Sequence, residues 1–264
     1  MAKKDASKPA AAAAAAAAPA ESNPAAAAPK AAKKVSGPIK SYLIAYNAIS
    51  FVAWAVVLGR VLLSVVLNLH YKNACADTFP LLSIVQTAAL LEVVHVALGF
   101  VRSGLSSTAM QVASRLLIVW FALYKYDVPL VYENIGFTVM VIAWSLSELA
   151  RYSFYVLSLL EIPNPTVTYV RYSAFLVLYP IGAVAELWIT VICSTIIRKS
   201  PEIWPKILNT LIIGLWPAGL YIMYNHMRAQ RKKVLGIKDD DEPQSAASQS
   251  LASKYGKTQS KKDL

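Results

Sequence analysis

The sequence predicts an all-α membrane protein, a compact bundle of six transmembrane helices with disordered cytosolic tails. Of its 264 residues 56% are hydrophobic, and the mean hydropathy is +0.46, a combination that basic soluble chains rarely reach. The formal charge of +11 sits mostly outside the apolar region. Residues 1–40 and 228–264 hold 16 of the 26 lysines and arginines and 7 of the 15 carboxylates, leaving 10 basic against 8 acidic residues between them. Six stretches in that middle region have the roughly 20 mostly apolar residues that a spanning helix needs.

The N-terminal tail, 1–40, lacks the apolar core and single cleavage site of a signal peptide. Pro9, Pro19, Pro24 and Pro29 interrupt its alanine tract, and it has nothing large to bury, so it reads as low-complexity cytosolic chain. The six expected spans are 42–69, 81–101, 108–125, 134–160, 169–197 and 205–225. Short connections rich in turn-formers join them: "HYKNACADTFP", "RSGLSS", "KYDVPLVYE", "EIPNPTV" and "RKSPEIWP". Residues 41–227 thus form a six-span domain, and 228–264 a basic, then mixed-charge tail.

An even number of spans puts both termini on one side. Lys30, Lys33, Lys34 and Lys40 before the first span match Arg228, Arg231, Lys232 and Lys233 after the last, so both ends are expected to be cytosolic. Arg198, Lys199 and Lys206 then face the lumen, against the same rule; the denser terminal clusters outweigh them. The closing "SKKDL" places Lys261 and Lys262 as in the dilysine retrieval signals that it resembles, which belong to endoplasmic-reticulum membrane proteins.

These features also exclude classes. Basic charge confined to membrane-flanking tails suits anionic headgroups, not nucleic acid. Cys75 and Cys193, one in a polar connection and one in an apolar segment, do not make a disulfide framework.

An ionisable group in hydrocarbon costs at least about 2.5 kcal/mol and therefore usually faces the bundle interior with a partner. Such groups recur here. Glu92 and His95 lie three apart, Gln111 and Arg115 four apart, and Glu148 and Arg151 three apart, with Ser145 and Tyr152 flanking that last face. Two structural arrangements are expected of them: a Glu148–Arg151 pair within one helix, and Glu92 neutralising Arg115 across an interface. Glu92 with His95 lacks a third metal ligand, so no metal is assigned.

"YPIGAVAE", residues 179–186, differs. Tyr179 and Glu186 are seven apart, sharing a helix face at about 10.5 Å along the axis. Pro180 removes a backbone donor and Gly182 a side chain, so a kink is expected that draws phenol and carboxyl toward one substrate. No basic residue lies between Arg171 and Arg198, so any charge partner of Glu186 must come from another helix. Removal from water favours a neutral carboxyl and suits a group that exchanges protons.

The motifs "LEVVHVALGFVRS", "QVASRLLIVW", "AWSLSELARYSFY" and "VRYSAFLVLYPIGAVAE", in that order and spacing, make the stretch from Tyr42 to about Arg231 resemble the very-long-chain (3R)-3-hydroxyacyl-CoA dehydratases, also called the protein tyrosine phosphatase-like family. The resemblance implies a six-span endoplasmic-reticulum enzyme with cytosolic termini that converts a long-chain 3-hydroxyacyl-CoA to the trans-2-enoyl-CoA, without metal or redox cofactor. It puts the catalytic pair on Tyr179 and Glu186, with the base and acid roles open between them. Glu92, Gln111, Arg115, Glu148 and Arg151 are the supporting polar set, of which Arg115, Glu148 and Arg151 are candidates to polarise the thioester or tune the pair. Arg102 and Arg171, at the expected cytosolic ends of two spans, could meet the CoA phosphates. Implied partners are membrane lipid, an elongase, and the ketoacyl and enoyl reductases.

Two rivals remain against this. Phosphatase chemistry needs a Cys with an Arg six positions later, but Leu81 and Lys199 follow Cys75 and Cys193 at that spacing. A non-catalytic scaffold or a transporter would also use kinked helices and buried charge, but a scaffold should tolerate Tyr179→Phe.

Overall fold

Leu43, Asn47, Trp54, Val57, Val61 and Ser64 recur at steps of three, four and seven residues and are all buried, so helix α1 (Gly37–Asn68) turns one stripe inward. Its opposite face carries exposed Ile49, Val52, Leu63, Val66 and Leu67, a surface suited to lipid. The computed structural model describes residues 37–68, 71–126 and 128–237, all within one unit, Ser36–Leu264. The N-terminal tail and the dilysine-like ending lie outside the described residues.

The chain continues through a 3-10 turn (Tyr71–Asn73) into α2 (Ala74–Ala88) and α3 (Leu90–Ala97), then α4 (Leu105–Leu116). A π-helical extension, Leu117–Tyr124, prolongs α4; Lys125 N–H bonds the Trp120 carbonyl five residues back. A short α5 (Pro129–Tyr132) leads to α6 (Ile135–Leu159), α7 (Pro165–Ser173), α8 (Phe175–Ile197) and α9 (Ile203–Leu235). No strand occurs among the described residues.

Three boundaries differ from the expected ones. The second segment starts at Tyr71, not 81, because Pro80 is accommodated inside α2: Asp77 accepts Ser64 Oγ at 2.6 Å, and its backbone carbonyl accepts Arg60 at 3.2 Å. Asn164 accepts Val167 N–H at 3.0 Å with Pro165 at the first helical position, so α7 begins four residues before the expected 169. The last helix runs to Leu235, ten residues past the expected 225, and stops where Gly236 adopts φ 64°.

Five helical stretches are long and apolar enough to cross a membrane: Gly37–Leu67, Tyr71–Ala97, Leu105–Tyr124, Pro165–Ile197 and Ile203–Leu235. The remaining expected span, α6, is long enough at 25 residues, but Glu148, Arg151 and four serines lower its hydropathy. It packs between α1 and α8, so it meets protein where the others meet solvent or lipid.

Successive long helices run in alternate directions. At one end Lys40 pairs with Glu161 at 2.6 Å, Tyr42 shares a 2.9 Å hydrogen bond with His95, and Arg231 donates to Ser173 at 3.1 Å. This end therefore holds the start of α1, the end of α3, the end of α6, the last turn of α7 and the last turns of α9. At the other, Lys72 faces Glu133 at 3.7 Å and Lys125 faces Glu202 at 3.3 Å.

Candidate active site

The polar face of α6 organises the interior. Trp144, Glu148, Arg151 and Tyr155 follow at steps of four, three and four, a single helical stripe that looks toward α3, α4 and α8.

Around Arg151 every charge has a partner. Its guanidinium donates to both Glu92 oxygens, at 2.6 and 2.7 Å, and through Nε to Glu148 at 2.7 Å. Tyr152 donates to Glu92 at 2.5 Å, and Arg115 of α4 takes the other oxygen of Glu148. Two arginines and two glutamates thus form one neutral chain across α3, α4 and α6. The expected Glu148–Arg151 pair is present. The expected Glu92–Arg115 pairing is not: Arg151 and Tyr152 occupy Glu92, and Glu148 bridges both arginines. Spacing along single helices cannot tell which cation a carboxylate on a third helix will meet.

His95 belongs to an aromatic cluster. Its Nε2 is taken up by Tyr42, and the Tyr46 ring stands edge-on to it at 4.8 Å. Gln111 is exposed on α4 and lies outside the ion chain among the described residues. Arg102 is exposed and Arg171 half-buried, both toward the end that gathers the helix termini named above. A surface groove lined by Phe154, Ser158, Asn164, Val167 and Thr168 opens at that end too, away from Tyr179 and Glu186.

Tyr179 and Glu186 sit on α8, which continues unbroken through Pro180; the interruption lies six residues earlier, at Ala174. The helical assignment is interrupted at Ala174, within two turns on the N-terminal side of Pro180, the side on which a proline removes a backbone hydrogen bond. Tyr179 and Glu186 stand two turns apart on one face of α8, and Arg115 lies over the ring of Trp144, which bonds Glu186. The Tyr179 hydroxyl has no hydrogen-bond partner among the described residues. Glu186 has no ion pair there either; its Oε1 accepts the Trp144 indole N–H at 2.6 Å. Gly182, on the same face between them, packs by the indole, where a Cβ would come 3.8 Å from Trp144 Cδ1.

Trp144, the hydrogen-bond partner of Glu186, is the neighbour that sequence reasoning missed. The signal was present: an indole four residues before a buried glutamate, whose N–H needs an acceptor once removed from water. What the arrangement offers chemically is a carboxylate and a phenol on one face, apart from each other, with a guanidinium alongside.

A model of the family described as protein tyrosine phosphatase-like protein, PTPLA, matches residues 86–237. A Caenorhabditis elegans very-long-chain (3R)-3-hydroxyacyl-CoA dehydratase is 34% identical over 75% of this chain and 96% of its own. A Schizosaccharomyces pombe protein named as a probable enzyme of the same kind is 39% identical over 73% and 92%. Arabidopsis thaliana PASTICCINO 2, another such dehydratase, is 35% identical over 74% and 92%. No solved structure matches.

Proposed function

The chain belongs to the protein tyrosine phosphatase-like family of very-long-chain (3R)-3-hydroxyacyl-CoA dehydratases, and we propose that it performs this chemistry with Glu186 as base and Tyr179 as acid. The enzyme is a hydro-lyase that converts (3R)-3-hydroxyacyl-CoA to trans-2-enoyl-CoA, the third step of the very-long-chain fatty acid elongation cycle.

One observation carries the role assignment: Glu186 accepts a donor that can only donate, while the Tyr179 hydroxyl is uncommitted. An indole N–H stabilises the carboxylate form. The Glu186 carboxylate takes the C2 proton, and the C2–H electron pair becomes the new C2–C3 π bond. The C3–O bond leaves with its electron pair, and the Tyr179 hydroxyl protonates that oxygen to give water. Arg115, within electrostatic reach of Tyr179, offsets the phenolate that forms. Proton return from Glu186 to Tyr179 resets the site. Tyr179 and Glu186 lie on one face of α8, and their side chains must lean toward each other across the Gly182 gap to meet the C3 oxygen and the C2 hydrogen of one substrate.

Glu92, Glu148 and Arg151 then hold Arg115 in place. Arg102 and Arg171 are the groups through which a CoA head group would be met near the end that collects the termini. An acyl chain belongs among the apolar helices and its phosphates in water, so the site opens toward that end. In this reading α6 is a sixth span, the bundle lies in the endoplasmic-reticulum membrane, and both termini are cytosolic. Elongase and reductases of the cycle are its neighbours there.

The test is turnover of a long-chain (3R)-3-hydroxyacyl-CoA by detergent-purified protein, followed as trans-2-enoyl-CoA. Tyr179→Phe and Glu186→Gln should each lower kcat by about 10²–10⁴. Wild-type activity that survives Tyr179→Phe would remove the phenol from the mechanism.

A further inference from the structure

Beyond the proton-transfer pair, we infer that Trp144 is a positioning residue for the dehydration, one that holds the Glu186 carboxylate in its working orientation and keeps it out of an ion pair with Arg115. The inference rests on the reading of Glu186 as the base.

Three contacts fix the indole. Its N–H donates to Glu186 Oε1 at 2.6 Å; the Arg115 guanidinium carbon stands 5.0 Å from the ring centroid; and the Gly182 backbone lies by the ring edge that bears the N–H. The residue is 2% exposed. A guanidinium held by both a carboxylate and an aromatic face has little reason to swing toward a second carboxylate. Glu148 supplies that carboxylate and Trp144 that face.

The consequence is chemical. A Glu186–Arg115 ion pair would hold the carboxylate in contact with a permanent cation and weaken it as a base. Through Trp144, Arg115 acts on Glu186 as a field without a direct salt bridge, and one carboxylate oxygen stays available to substrate.

Trp144→Phe deletes the donor but also shrinks the ring. The sharper probe replaces Trp144 with 3-benzothienylalanine, which keeps the bicyclic shape and exchanges the N–H for sulfur. With purified full-length protein and the enoyl-CoA assay, kcat should fall about 10- to 100-fold, the loss of one hydrogen bond to a charged group, with KM and Tm close to wild type. In a Glu186→Asp background, whose shortened carboxylate retreats from the indole, the same replacement should cost nothing further. An unchanged kcat for the isostere, or an equal fold-loss in both backgrounds, would overturn the positioning role. Glu186→Asp turning over like wild type would overturn the reading of Glu186 itself, and this inference with it.

Discussion

Two clusters of acidic, basic and phenolic side chains lie side by side in the bundle and differ in how fully their charges are answered. In the chain formed by Glu92, Arg151, Glu148 and Arg115, each carboxylate meets a guanidinium, and Tyr152 closes the Glu92 end. On α8 the carboxylate of Glu186 meets a neutral indole N–H, and the Tyr179 hydroxyl meets no hydrogen-bond acceptor or donor among the described residues. A saturated cluster has its protons and charges locked by partners, which makes it scaffold; an unsaturated one retains the capacity to exchange a proton. The partner count, more than the presence of buried charge, separates the two.

The largest expected effect on that contrast is at Glu148. Glu148→Gln leaves Arg115 and Arg151 sharing a buried neutral amide, and removing one partner from such a network destabilises by about 3–5 kcal/mol. Thermal unfolding in detergent should show the drop in Tm, with activity lost alongside the fold. Glu92→Gln is milder, because Arg151 keeps Glu148 and the amide can still receive one guanidinium N–H; a loss of about 1–3 kcal/mol is expected in the same melt.

Arg115→Lys probes the residue that touches both clusters. It preserves charge but loses the planar fork and the stacking over Trp144. The expected signature is a kcat reduced by about tenfold, consistent with a weakened charge-assisted contact, with Tm lowered less than by Glu148→Gln. A kcat that stays at wild type would detach Arg115 from the reactive cluster and assign it wholly to the saturated one.

Gly136→Ala tests the seam that holds α8 against α6. A Cβ there would stand 3.0 Å from the Trp188 ring and 3.0 Å from the Asn134 oxygen that caps α6. One or the other must shift, at about 1–3 kcal/mol, and the melt should report it. The smallest effect is at Glu161, which follows α6 at φ 61° in the left-handed position of a Schellman turn, with Ile162 N–H bonding the Leu157 carbonyl at 3.0 Å. Glu161→Gly relieves that conformation and should stabilise by about 1 kcal/mol, without changing kcat, since its Lys40 partner is far from either cluster along the chain and the pair is exposed.

The sequence made the helical class plain, because apolar runs of spanning length admit few alternatives. It placed Tyr179 and Glu186 on one face, as the continuous α8 requires. It was least informative about α6, whose length suits a span while its serines, Glu148 and Arg151 lower its hydropathy, and whose packing between α1 and α8 is a three-dimensional fact. The Glu92 partner was misjudged for the same reason: the choice between Arg115 and Arg151 depends on how α3 and α4 lean on α6. Pro180 pointed to a break in this stretch, and the helix assignment is interrupted just before it, at Ala174. Trp144 escaped notice because an indole in an apolar segment looks like core until the acceptor on another helix is known.

The most direct measurement compares two isosteric changes, Glu186→Gln and Glu148→Gln, for kcat per folded molecule and for Tm in one detergent preparation series. The account predicts that Glu186→Gln leaves Tm within a few degrees of wild type and lowers kcat by about 10²–10⁴, whereas Glu148→Gln lowers Tm most. If Glu186→Gln instead retained wild-type kcat, or unfolded as readily as Glu148→Gln, the unsaturated cluster would be packing and the separation of scaffold from reactive pair would be contradicted.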